Sequence, residues 1–310
     1  MACYQLGDGL LPVDVVGGGV FERVLYPTDG GEPARELLEY VLDLVTHHDA
    51  DLHLLNVADT SRDSLARIGG DVVDSLEREG QRVVGEAAER AAERGVEAVT
   101  AVRQGRPHAE ILGYARQVDA GLVVLPTRGR GGLETLFGST AERVLRRAER
   151  PVLTVRPGTD PRSHHPFRRV LVPTDGSEPA GAAVAAGTEV AAAYDARLDL
   201  LSVVNVAALG VDIRSELQLD ALEDQASDIV DAAVDEAEAS VADVSGFVEY
   251  GSSIHRTILS HVEAHDADLV VAGTHGRTGL DRYLLGSVAE RLVRGSPVPV
   301  LTVGGTSEEE

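Results

Sequence analysis

The residues best suited to chemistry lie in a glycine-rich stretch, Gly273-Thr-His-Gly276-Arg-Thr-Gly-Leu-Asp-Arg-Tyr-Leu-Leu-Gly286-Ser287, which fits Gly-x2-Gly-x9-Gly-Ser. Glycines let a backbone approach a ligand closely or take positive φ. A Gly-Ser pair that opens a helix can turn free amides, the helix dipole and a hydroxyl toward an anion. A polyphosphate suits such a loop, although a plain glycine-rich turn or helix start has the same composition. A second segment, Pro173-Thr174-Asp175-Gly176-Ser177, sets a carboxylate after an apolar run. Asp175 and Ser177 either meet a ligand or cap the helix that begins near Pro179. The chain contains no lysine, so all 28 basic residues are Arg. That excludes a Walker-type lysine, a Schiff base and a lysine general base. Phosphate charge would fall instead to amides, to Arg277 or Arg282, and to a metal ion. His275, inside the loop, either touches phosphate or faces solvent. No residue near the loop is an obvious base for water, so no catalytic residue is assigned.

The elements that must position these groups come in two copies. Val24-Leu-Tyr-Pro-Thr-Asp-Gly30 returns as Val170-Leu-Val-Pro-Thr-Asp-Gly176, and Pro151-Val-Leu-Thr-Val155 returns as Pro299-Val-Leu-Thr-Val303. Asp119–Val124 returns as Asp266–Val271, and Gly138-Ser139 as Gly286-Ser287, in one order and at nearly one offset. Repetition of this kind signals a duplicated domain. The expected divisions are an extension at 1–20, expected to be flexible, a first domain at 21–157, a linker at 158–167, a second domain at 168–304 and a tail at 305–310. Three prolines in the ten residues from Pro157 to Pro166 read as an exposed connection. In the second copy, apolar runs at Arg169–Pro173, Leu198–Val204, Gly246–Tyr250, Leu269–Gly273 and Val300–Val303 read as strands. Pro179–Tyr194, Ser215–Val241, His255–Ala264 and Leu284–Arg294 read as the intervening helices. Near-continuous apolar strands alternating with helices imply an α/β fold with a doubly wound parallel sheet in each copy. Ligands bind such sheets beyond the carboxyl ends of the strands, where the winding reverses. Both candidate segments follow strands.

Composition narrows the partners. Asp and Glu total 51 against 28 Arg, a net charge of -23. Such a field repels nucleic acid and anionic lipid, so neither is expected as a partner. It also predicts self-repulsion that salt would screen, as in a halophilic cytoplasm, although a high-GC genome gives the same preference for Arg. With one cysteine, internal disulfides and cysteine metal clusters are excluded. No run of eighteen apolar residues occurs and the start has no basic-then-apolar pattern, so a soluble cytoplasmic protein is expected. His47-His48 and His164-His165 are adjacent pairs that do not share a helix face, and no metal site is assigned to them. His255, His261 and His265 read as helix-surface residues. The acidic run Asp220, Glu223, Asp224, Asp228, Asp231, Asp235 and Glu236 reads as a solvated face.

The Pro-Thr-Asp strand end together with the Gly-x2-Gly-x9-Gly-Ser loop resembles the ATP-binding type of the universal stress protein family, across both copies. The resemblance implies a Rossmann-like sheet of five strands ordered 3-2-1-4-5. It implies that Asp175 contacts the ribose and that main-chain groups near Val203 contact adenine. Gly273, Gly276, Gly286 and Ser287 would hold phosphates, flanked by Pro173, Thr174, His275, Arg277 and Val288. ATP, or AMP or ADP, with Mg or Mn bridging, is the implied ligand. Pairing through the fifth strand would make an intrachain pseudo-dimer from Pro151–Val155 and Pro299–Val303; a further homodimer stays open and no protein partner is identified. The first copy departs from the pattern: Pro126 replaces the first glycine, and eight residues separate Gly129 from Gly138 where the second copy has nine. Thr28, Asp29, Val57, Gly129, Gly138 and Ser139 are therefore expected to form a weaker second site. The implied function is a stress-response regulator that binds an adenine nucleotide with little or no hydrolysis. The alternatives are a slow ATP hydrolase of the adenine-nucleotide α-hydrolase-like group, whose Ser-Gly-Gly-x-Asp-Ser loop is missing after the first strand, and a nucleotide-free dimerising scaffold.

Overall fold

The computed structural model describes residues 20–60, 69–129, 137–208, 214–274 and 285–304, by backbone alone at 69–74, 208 and 214–218. The first half carries strands β1 (Arg23–Pro27), β2 (Asp51–Asp59), β3 (Ala98–Gly105), β4 (Leu122–Pro126) and β5 (Val152–Val155). Helices α1 (Glu32–His48), α2 (Gly69–Glu93), α3 (Pro107–Gln117) and α4 (Ser139–Leu145) alternate with them. The second half repeats the plan with β6 (Arg169–Pro173), β7 (Arg197–Asn205), β8 (Val244–Gly251), β9 (Leu269–Gly273) and β10 (Val300–Val303). Its helices are α5 (Glu178–Tyr194), α6 (Arg214–Ala237), α7 (Ile254–Ala264) and α8 (Ser287–Gly295).

All ten strands join one sheet, ordered β3-β2-β1-β4-β5-β10-β9-β6-β7-β8. Each half thus has the order 3-2-1-4-5 expected of it, and within a half every pair is parallel. The halves meet in one antiparallel pair, with Leu301 opposite Leu153, Val300 opposite Thr154 and Thr302 opposite Val152. Thr154 Oγ1 donates to the Val300 carbonyl at 3.1 Å, and Thr302 Oγ1 donates to the Val152 carbonyl at 3.2 Å. These reciprocal bonds give the seam an approximate two-fold character: the pseudo-dimer lies within one chain.

The strands' alternating side chains feed two cores. Val24, Tyr26, Leu122, Val124 and Leu153, with Val170, Val172, Leu269, Val271 and Leu301, face α1, α2, α5 and α6 in one cluster that crosses the seam. Leu25, Val123, Leu125, Leu171 and Val270 face α3, α4, α7 and α8 on the opposite side. A period of two along each strand and helices on both faces account for the near-continuous apolar runs in the sequence. Asp49, Asp119, Asp195 and Asp266 take left-handed backbone angles just after helices, a conformation that aspartate tolerates better than most residues.

The ends of the first domain hold more contacts than expected. The proline-rich linker is exposed at Gly158, Asp160, Arg162, Ser163 and Pro166, as expected, and is anchored to both halves. Arg162 Nε pairs with Asp43 at 2.6 Å on the first half, His164 Nδ1 lies 3.2 Å from Asp268 on the second, and Phe167 is fully buried. Val20, placed in the extension, is buried and donates its amide to Glu189 Oε1 at 3.0 Å. The rest of the extension and the tail lie outside the described residues. Among the described residues no helix is long and apolar enough to cross a membrane.

Candidate functional site

In the second half, β6 ends at Pro173 and the chain turns sharply into α5. Thr174 donates its amide to the Leu201 carbonyl at 2.8 Å, tying the turn to β7. The Thr174 hydroxyl accepts from the Gly176 amide at 3.3 Å, and Asp175 Oδ1 accepts from the Ser177 amide at 3.0 Å. Gly176 sits at φ +73°, which a side chain would strain. Asp175 therefore shapes its own turn while its exposed carboxylate stands at the mouth of the sheet. Ser177 occupies the N-cap of α5, but its side chain makes no capping bond. The same turn recurs in the first half, where Gly31 donates to Asp29 Oδ1 at 2.9 Å and Gly30 has φ +68°.

The second segment leaves β9 at Gly273. A Cβ at this position would come within 2.3 Å of the Pro179 carbonyl oxygen, so glycine is required for α5 to lie against the end of β9. The chain re-enters as α8, with Gly286 as its N-cap and no side-chain cap. One expectation is corrected here: the Gly286 amide is not free, because it donates to the Thr274 carbonyl at 2.6 Å. The first intrahelical bond of α8 runs from the Glu290 amide to the Gly286 carbonyl. The amides that lack an i−4 partner are thus those of Ser287, Val288 and Ala289. Glu290, in the first turn, is paired with Arg294 at 2.8 Å, which tempers its repulsion of an anion at the helix start.

Pro173, Thr174, Asp175, Val203, Gly273, Gly286, Ser287 and Val288 all line one cavity of about 200 Å³. These come from four separate stretches of chain, gathered where β6 and β9 adjoin and the winding reverses. His275, Gly276, Arg277 and Arg282 lie outside the described residues. Several lining residues were missed: Leu201, Ile254, Ile258, Ala180, Ala272 and Ala289. They make the cavity wall apolar, and three of them had a signal in the sequence. Leu201 is two residues from Val203 on the same strand face, and Ile254 and Ile258 stand four apart on one helix face.

The first half gathers its candidates differently. A Cβ on Gly129 would lie 2.8 Å from Asp29 Oδ2, so the Asp29 carboxylate leans directly on the loop. Gly138 abuts the Thr127 carbonyl and its amide donates there at 2.9 Å. Thr28 is buried beneath the turn, and Val57 packs against the core of its face. Ser139 opens α4, a helix of only seven residues.

The chain matches the model of the Universal stress protein family twice, at residues 21–156 and 166–304. A universal stress protein of Methanocaldococcus jannaschii is 32% identical over 144 residues, covering 45% of this chain and 85% of that protein. A universal stress protein of Bacillus subtilis is 29% identical over 148 residues, covering 44% of this chain and all of that protein. The crystal structure of a universal stress protein from Archaeoglobus fulgidus superposes with a TM-score of 0.69 at 23% identity. It covers 92% of this chain and 99% of its own, and shows the same two-domain fold.

Proposed function

Because the chain belongs to the universal stress protein family, we propose that it is a stress-response regulator that binds one adenine nucleotide, in its second repeat, and signals by occupancy more than by turnover. The observation that carries this reading is the convergence of eight expected site residues, from four separate stretches of chain, on one cavity at the reversal point of the second half. The cavity is smaller than the roughly 300–1,000 Å³ of typical ligand clefts, which suits the nucleoside part of the ligand. In this reading adenine rests on Val203, Leu201, Ile254 and Ile258, and the ribose hydroxyls meet Asp175. The phosphates meet the amides of Ser287, Val288 and Ala289 at the start of α8, where the helix dipole favours negative charge. Mg or Mn, bound with the nucleotide, would offset the charge of its phosphates.

The first repeat is read as structural. Pro126 ends β4 where Gly273 ends β9, and it brings a side chain to the point where the second half admits none. The Asp29 carboxylate rests against Gly129, where a ribose would need to enter. Slow hydrolysis is disfavoured because no described residue lining the cavity can act as a general base other than Asp175, which is engaged in its turn.

Acid extraction of the purified protein followed by mass spectrometry should release about one adenine nucleotide per chain. Gly273→Ala, whose added carbon meets the Pro179 carbonyl, should lower nucleotide content and ATP affinity at least about ten-fold, the equivalent of roughly 1.4 kcal/mol. Gly129→Ala should leave both unchanged. Two equivalent nucleotides per chain, or a protein that neither carries nor binds one, would refute the proposal. Sustained ATP turnover with Mg would shift it to the slow-hydrolase alternative.

A further inference from the structure

Three side chains buried in the second half carry chemistry that the nucleotide site leaves unused. Asp199 on β7 is completely buried and His261 on α7 is 1% exposed. His265, which ends that helix, is half-buried. One ligating atom from each of the three lies within 4.8 Å of the others. The sequence reading placed His261 on the helix surface; it is buried because α7 turns Ile258, His261 and Val262 toward the sheet.

The hydrogen bonds fix which atoms face one another. His261 Nδ1 stands 2.6 Å from Glu249 Oε1. A carboxylate only accepts, so Nδ1 carries a proton, and Nε2 is the nitrogen left to ligate an ion. Among the described residues neither His261 Nε2 nor Asp199 Oδ2, both buried, has a partner within hydrogen-bond range. They face each other at 3.9 Å, beyond hydrogen-bond range. Two unsatisfied buried atoms at this spacing are costly to leave alone. Two ligands of a tetrahedral zinc ion, each about 2.0–2.2 Å from the metal, stand roughly 3.4 Å apart, so a small side-chain adjustment brings these atoms into range. The His265 ring stacks on His261 at 4.0 Å, and Phe247 packs edge-on against both rings. His261 and His265 are four residues apart across the last turn of α7, a spacing that lets both rings reach one ion once the His265 ring turns out of the stack.

The surrounding charges are already placed. Arg197 Nε donates to Asp199 Oδ1 at 2.8 Å, which leaves Oδ2 as the ligating atom. Arg169 Nε is 3.7 Å from Oδ2, too far to bond, and its Nη1 donates to the His265 carbonyl.

The first half shows what these positions do without such a role. By strand register, Leu25 pairs with His53 as Leu171 pairs with Asp199, so His53 stands where Asp199 does. Aligning the eleven-residue α3 and α7 puts Tyr114 in the place of His261 and Val118 in that of His265. There His53 Nδ1 and the Tyr114 hydroxyl are 3.2 Å apart and satisfy each other, and the third position has no ligand.

We propose that Asp199, His261 and His265 bind a divalent transition-metal ion of the zinc class, with Glu249 as the carboxylate that orients His261. Two imidazoles and one carboxylate are a donor set suited to zinc, and water fills the fourth position. The Glu249–His261 bond is the outer-shell contact that holds a ligating imidazole in its tautomer. Half-exposed His265 provides the route of entry. The site lies below the nucleotide cavity, because Asp199 is two residues before the cavity-lining Leu201 on the same β7 face.

The test uses the full chain, stripped with chelator and titrated with zinc alone against a chromophoric chelator. One zinc per chain is expected. His265→Gln, at the half-exposed position that tolerates change best, and Glu249→Gln should each weaken zinc by roughly 10–100-fold. Asp199→Asn should abolish binding if that variant folds, as judged by circular dichroism. A His47→Gln/His48→Gln double variant should bind zinc like the unaltered protein. The proposal is overturned if the chain fails to compete with the chelator, if His265→Gln binds zinc undiminished, or if the His47/His48 variant loses the ion.

Discussion

His48 illustrates how far a side chain's neighbours can reverse its apparent purpose. Beside His47 in the sequence it suggests a metal pair. In the fold it stacks on Phe21 at 4.1 Å, while His47 stacks on Tyr194 of the other half at 4.7 Å. The cluster continues through His165 and Phe167 of the linker region. His48 Nε2 is buried without a partner, so protonating it would place an unsatisfied charge among rings. Burial, with His47 and His165 nearby, pushes the His48 pKa down to about 4. The unfolded chain, with histidine near 6.5, therefore binds more protons than the folded one below that pH. His48 contributes no penalty above about pH 6.5, and stability falls as pH drops from there toward 4. His165, lowered mainly by burial and then by His47, acts in the same direction. His48→Phe should keep the stack and flatten the acid side of the stability profile measured by urea unfolding. A slope equal to that of the unaltered protein would show that His48 does not drive the effect. None of this was legible in the sequence, because partners contributed from far along the chain decide whether a histidine is a ligand, a switch or packing. The positions of Asp175 and Gly273 at the sheet mouth could be read because they depend only on the local turn and the end of one strand. His261 could not, because its burial depends on which way α7 faces.

At the scale of elements, the sequence was most informative where both faces of a strand are covered. Arg169–Pro173, Leu269–Gly273 and Val300–Val303 emerge with the bounds read from their apolar runs. The edge strand β8 runs two residues earlier and one later than its apolar core implied, because an edge needs less burial and Val244-Ser245 pair with Leu198-Asp199 by backbone alone. α6 stops at Ala237, short of the expected Val241, where Ser240 and the following turn compete for the backbone. The seam was implied only by family resemblance, since no pattern in a strand names its partner. Leu153 and Leu301 face each other across it, each 1% exposed. Replacing either with Ala should cost about 2–5 kcal/mol of unfolding free energy. Because the two share one contact and one cavity, the double variant should lose less than the sum by about 0.5–3 kcal/mol. Strict additivity in denaturant unfolding would mean that the halves do not share a core at the seam.

For the whole molecule, charge outweighs any single contact. The net charge of -23 is spread over a chain whose visible ion pairs are mostly exposed, such as Arg82 with Glu79 at 2.7 Å and Arg94 with Asp43 at 2.6 Å. Pairs of this kind each contribute about 0–1 kcal/mol and weaken in salt. The uncompensated acidic groups act over longer distances, and their repulsion is screened as the Debye length contracts from about 10 Å at 0.1 M salt to about 3 Å at 1 M. Salt should therefore remove more repulsion than attraction, and stability should rise from low to molar KCl. The outer face of α6 gives a way to separate charge from general salt effects, because Asp220, Glu223, Asp224, Asp228, Asp231, Asp235 and Glu236 are all exposed. Converting these seven to Asn and Gln takes the net charge from -23 to -16 without touching either core. That variant should be more stable than the parent in dilute buffer and gain less from KCl, so that the two stability curves converge at high salt. Parallel curves would assign the salt response to water exclusion from apolar surface instead of to charge, and a parent whose stability falls with KCl would remove the electrostatic account altogether.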